Sequence, residues 1–116
     1  LRRGVEVARV VNQSGVIALC AFVAPHELPR RRAREVVGDE RFLEVFVDAP
    51  VDVCRARDAR GLYAAADRGE IADFPGVSSA FEPPTAPDLH LDTTATGVDA
   101  GADLVIELLR SKGVLT

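Results

Sequence analysis

Three stretches of this 116-residue chain carry side chains whose types and spacing could do chemistry. Arg57-Asp58-Ala59-Arg60-Gly61-Leu62-Tyr63 sets two guanidinium groups beside a glycine. A guanidinium fork can stack on a purine face or pair with phosphate or sulfate. The glycine would let the backbone turn tightly against a ligand. The same Arg/Asp pair also suits the ordinary work of capping or solvating a helix end. Phe22-Val23-Ala24-Pro25-His26 ends an apolar run and turns, either as a ligand-facing loop or as a plain structural turn. Arg30, Arg31, Arg32 and Arg34 place positive charge on one segment, where it could attract an anionic substrate or form a solvated face.

Other chemistries are absent from the pattern. His26 has no second histidine or carboxylate at metal-ligand spacing, and His90, at the start of a strand, reads as structural. Cys20 and Cys54 lie in apolar segments without a CxxC spacing. They read as small buried hydrophobes in a reducing compartment, with a disulfide or metal pair as the other possibility. No Ser/His/Asp triad, zincin motif or GxxxxGK[ST] loop occurs. The net charge of −4 argues against a general nucleic-acid partner. No apolar run approaches the ~20 residues a membrane span needs. With neither an initiator Met nor a signal-peptide pattern, the chain is expected to begin inside a larger, cytoplasmic gene product.

These residues need elements to hold them. Residues 3–13 have a helical pattern, with Val7, Ala8, Val10 and Val11 on one side and Gly15 as a stop. Val16 to Val23 is short and continuously apolar, the pattern of a strand buried on both faces of a parallel sheet. An arginine-rich helix is expected over about 29–37, a strand over 42–48, and helices over about 51–57 and 61–69. Prolines and glycines make 71–87 a loop, and a loop that long inside a domain is usually mobile or functional. A short strand at 89–92 and a helix over about 98–112 follow, the helix with Ala102, Val105, Ile106 and Leu109 inward. Strands alternating with helices give an α/β fold of right-handed βαβ units around a parallel sheet. Ligands gather beyond the carboxyl ends of such strands, where 22–34, 48–61 and the tail of the last strand should meet.

Several of these pieces together resemble the adenylylsulfate kinase family. Phe42-Leu43-Glu44-Val45-Phe46-Val47-Asp48-Ala49-Pro50, Val53-Cys54, Arg57-Asp58 and Gly61-Leu62-Tyr63 carry the resemblance. It continues through Gly69-Glu70-Ile71, Phe74, Gly76, Glu82, Pro87 and His90-Leu91-Asp92-Thr93. Leu1-Arg2-Arg3, Glu6-Val7-Ala8, Gly15 and Phe22-Val23-Ala24-Pro25 fall upstream in the same order. The resemblance implies a single, partial domain over 1–116 with a three-layer P-loop-kinase-like sheet whose first strand and P-loop are missing. It implies phosphoryl transfer from ATP, with Mg²⁺, to the 3′-hydroxyl of adenylylsulfate. Substrate contacts would fall on Val23, Ala24, Arg60 (where the family has lysine), Asp73 and Phe74, with Phe74 stacking on the adenine. Arg57, Thr96 and Gly101 would serve the ATP pocket, and residues 60–81 would form a closing lid. A homodimer or a fusion with ATP sulfurylase is the implied assembly.

Departures from the family bear on activity. The phosphate loop and the acidic segment after it are lacking, so no catalytic or metal-holding residue is assigned and these residues alone should be inactive. Ala24 stands where many members have serine, Ala64 and Ala65 where lysines are typical, Pro75 for a small hydroxyl residue and Ser78 for aspartate. The alternative is a degenerate, non-catalytic kinase-like domain that binds nucleotide and regulates a fused partner.

Overall fold

Val45-Phe46-Val47-Asp48 is rich in β-branched and aromatic side chains, which suit a pleated surface. It forms strand β1 (Val45–Asp48), and Leu89–Asp92 forms β2. The two run parallel, Val45 opposite Leu89 and Asp48 opposite Asp92. The connection between them carries two short helices, α3 (Val51–Ala56) and α4 (Leu62–Asp67), as a parallel crossover requires. Three further helices complete the chain: α1 (Arg2–Gln13), α2 (Glu27–Val37) and α5 (Val98–Ser111). The computed structural model describes all 116 residues.

The chain divides into two compact units, each described by itself. One comprises Leu1–Leu43 with Ala80–Pro84, and contains α1 and α2. The other comprises Glu44–Ser79 with Thr85–Thr116, and contains the sheet, α3, α4 and α5. In the second unit, Leu91 is buried and lies under Gly101 of α5, where an added Cβ would sit 3.8 Å from a Leu91 methyl. An added methyl there would make ordinary contact, so the packing between helix and strand does not itself require glycine. Asp88 anchors the start of β1 by accepting the Glu44 N–H at 2.7 Å.

Four expectations need correction. Residues 16–23 form no strand, and Leu19 is 83% exposed. Apolar content is not enough for a strand: the backbone also needs a neighbouring ladder, and the only sheet here has two strands, β1 and β2. Cys20, on that run, is therefore exposed and not buried. On α1 the buried residue is Val5, whereas Val7 and Val10 face outward. On α5 the inward face runs through Gly101, Val105, Leu108 and Leu109, leaving Ala102 and Ile106 exposed. The inward face is thus displaced by about one position from the expected one.

Candidate functional site

The turn after β2 is fixed by the strand before it. The Thr93 N–H and its hydroxyl both donate to the Asp48 carbonyl, each at 2.9 Å, so the two strand ends close side by side. Asp92 then accepts from the Thr94 hydroxyl at 2.6 Å and from the Thr94 N–H at 3.0 Å. These bonds, the hydroxyl's foremost, hold the Asp92 carboxyl below its usual range. Thr96 donates its N–H to the Asp92 carbonyl at 2.9 Å, and its methyl would lie 3.9 Å from a Cβ on Gly101. Asp92 through Thr96 is thus a tightly bonded turn.

Arg57, at the end of α3, reaches this turn. Its Nη1 donates to Thr93 Oγ1 at 2.9 Å and its Nη2 to the Thr93 carbonyl at 3.0 Å. Two bonds to one residue fix the plane of an exposed guanidinium. Arg57, Thr96 and Gly101 are therefore gathered about one turn. Gly101 is buried against Leu91, so its contribution there is packing.

Asp58, beside Arg57, does the helix-capping work that an Arg/Asp pair often does. Its carboxylate accepts from the Leu62 N–H at 2.8 Å and the Ala64 N–H at 3.2 Å, covering the start of α4. Gly61 sits between them at φ 69°, a left-handed conformation that glycine adopts without strain. Arg60 is exposed on this same turn.

Phe74 is held by its own loop. Its carbonyl accepts from the N–H groups of Val77, Ser78 and Ser79, at 3.0, 2.9 and 3.1 Å, and its N–H donates to the Ser78 hydroxyl at 2.8 Å. The Tyr63 ring meets it edge-on at 4.9 Å between centroids. Burial pushes the Tyr63 phenol above its ordinary range, and its hydrogen bond with Cys54 adds to the shift. Asp73, just before Phe74, has φ 51°. Ala24, in the other unit, has φ 42°. They are the only two non-glycine residues with positive φ, and both are positions that the family resemblance implies as substrate contacts. Such a conformation costs an alanine about 1–2 kcal/mol, and an aspartate less.

Two of the four clustered arginines have neither role expected for them. Arg30 is buried and Arg34 half-buried; Arg34 pairs with Asp39 at 3.0 Å and lies over the Phe42 ring. Arg31 and Arg32 are exposed. Val23 is also exposed. His90 bridges to Asp48 at 2.8 Å and stacks on Phe46, 4.8 Å between centroids. Thr93 and Ser78 carry bonding roles that no motif marks, although each is a hydroxyl residue beside a strand or loop end, a common hydrogen-bonding position.

A family model described as adenylylsulphate kinase matches residues 1–92. The bifunctional enzyme NodQ of Azospirillum brasilense is 50% identical over 114 residues, 98% of this chain and 18% of that protein. The adenylyl-sulfate kinase of Halothermothrix orenii is 45% identical over 115 residues, 99% of this chain and 61% of that protein. The solved Mycobacterium tuberculosis APS kinase CysC, in complex with AMPPNP and APS, superposes with a TM-score of 0.89 at 39% identity. The match covers 94% of this chain and 64% of that one. The chain thus spans a little over three-fifths of the last two of these relatives. Its fold is that of their P-loop kinase architecture, and the chain belongs to the adenylylsulphate kinase family.

Proposed function

We propose that these residues form the lid and nucleotide-binding portion of an adenylylsulfate kinase, which transfers the γ-phosphoryl group of ATP to the 3′-hydroxyl of adenylylsulfate. The observation that carries this reading is the turn at 92–96, which fixes the Arg57 guanidinium through Thr93 and sets Thr96 against Gly101. An anchored guanidinium face is suited to the adenine of ATP. Phe74, caged by its loop, is suited to the adenine of adenylylsulfate. Arg60 and Asp73 are further proposed substrate contacts, and Val23 and Ala24 are proposed contacts taken separately in the other unit. Residues 60–81 act as a lid that excludes water when both nucleotides are bound.

Phosphoryl transfer rests on positioning and charge neutralisation, and no phosphate-gripping loop lies within these 116 residues. Mg²⁺ is accordingly assigned to no residue here and no step is routed through it. The 116 residues alone are proposed to be inactive, and the loop to be supplied by other parts of the cytoplasmic gene product. A fusion with ATP sulfurylase is consistent with relatives that are called bifunctional and are far longer than this chain. A homodimer is the alternative assembly.

A second reading, a non-catalytic regulatory domain, is favoured by the lid helix α4. Alanines at positions 64 and 65 bring no positive charge toward bound phosphates. The two readings separate when the full-length gene product is incubated with ATP, Mg²⁺ and adenylylsulfate. ATP-dependent formation of 3′-phosphoadenylylsulfate is the expected result; binding without turnover supports the regulatory reading.

A further inference from the structure

On α2, Arg31 and Arg32 extend into solvent, whereas Arg30 turns inward and is only 8% exposed. Its two terminal nitrogens diverge. Nη1 donates to the Ala24 carbonyl; Nη2 donates to the Glu82 carbonyl and to the Glu27 carboxylate, the last at 2.9 Å. The Phe81 ring lies under the guanidinium, 5.8 Å from its centroid. The strap formed by residues 80–84 bonds back to the same turn. The Glu82 N–H donates to the Pro25 carbonyl at 2.7 Å, and the Glu82 carboxylate meets His26 Nδ1 at 3.0 Å and the Glu27 N–H at 3.3 Å. The carbonyls of both residues 24 and 25 are thus tied down, at the one alanine with positive φ.

We propose that Arg30 is a positioning residue for the nucleotide substrate: its fork clamps the strained Ala24 turn to the Glu82 strap and so sets the backbone that the substrate meets. This inference rests on the reading that Val23 and Ala24 contact adenylylsulfate. Ala24 can offer a ligand only its backbone and a methyl group, so what the turn contributes depends on its conformation. A strained turn persists only where its surroundings hold it. A fork is needed because one ammonium cannot reproduce two diverging, coplanar donors.

The test uses the full-length gene product with Arg30→Lys, Ala24→Gly and the double variant, each checked for a cooperative thermal transition. Adenylylsulfate and ADP binding are measured by calorimetry. Arg30→Lys is expected to weaken adenylylsulfate about tenfold while changing ADP less than about twofold, because the turn is no longer pre-set. Ala24→Gly in the Arg30→Lys background is expected to restore affinity to within about threefold, since glycine takes the positive φ unaided. A folded Arg30→Lys protein that binds adenylylsulfate like wild type overturns the proposal, as does a double variant with no recovery. The Ala24 Cα and Cβ chemical shifts give a ligand-free readout. They should mark positive φ in the wild type and move toward ordinary values in Arg30→Lys; unchanged shifts also overturn the clamp. If the wild type fails to bind adenylylsulfate, the substrate reading fails, and these shifts still decide whether Arg30 holds the turn.

Discussion

Arg57 and Thr93, thirty-six residues apart, are joined by two hydrogen bonds, one to the threonine hydroxyl and one to its carbonyl. The same hydroxyl donates to the Asp48 carbonyl, so one oxygen links the end of α3 to the ends of both strands. Thr93→Val keeps the shape and removes that oxygen. It is expected to cost about 1–2 kcal/mol, the net loss of two hydrogen bonds. Denaturant midpoints of wild type and variant check this. ATP affinity should fall with it, because the Arg57 plane is then held by one bond.

Ser78 is the residue that closes the Phe74 loop. Ser78→Ala removes the acceptor of the Phe74 N–H and is expected to cost about 1 kcal/mol, with adenylylsulfate binding weakened ~5-fold. Ser78→Asp restores an acceptor and should bind at least as well as wild type. Parallel titrations of the two variants make the comparison.

Gly61 separates the Asp58 cap from α4 at positive φ. Gly61→Ala is expected to destabilise by about 1 kcal/mol, and Gly61→Asn by less, since asparagine tolerates that conformation better. No neighbour lies within 4 Å of the added Cβ, so the difference reports backbone strain alone. Thermal melts of both variants measure it.

The pH dependence follows from Asp92. Its folded carboxyl titrates below the ordinary range, chiefly because of the Thr94 hydroxyl and also because of the Thr94 N–H. A depressed folded pKa contributes stability that is present above the unfolded value, near 4, and is lost as pH falls through the lowered one. Thr94→Val should move the Asp92 titration back upward and shrink the acid-side loss. Carboxyl carbon shifts followed through an acid titration show the direction.

The elements that were legible in the sequence are those whose partners lie within it. Leu89–Asp92 was readable as a strand because β1 supplies its ladder, and α1 and α5 because 3.6-residue periodicity is a local signal. Val16–Val23 has the composition of a buried strand, but no ladder reaches it. Arg57 stands out by side-chain type, and Phe74 through the resemblance to the adenylylsulfate kinase family. Their anchors, Thr93 and Ser78, do not stand out as anchors, because a threonine or serine becomes one only through geometry. Sequence does not show which arginine of the run Arg30-Arg31-Arg32 turns inward, and it is Arg30 that does.

Calorimetric titration of adenylylsulfate into the full-length gene product, wild type and Phe74→Ala, bears most directly on the claim that this chain encloses an adenine nucleotide. Saturable binding by the wild type is expected, weakened in Phe74→Ala by the about 1–3 kcal/mol that base–aromatic stacking supplies. No binding by a folded wild type, or equal binding by the two proteins, would contradict it.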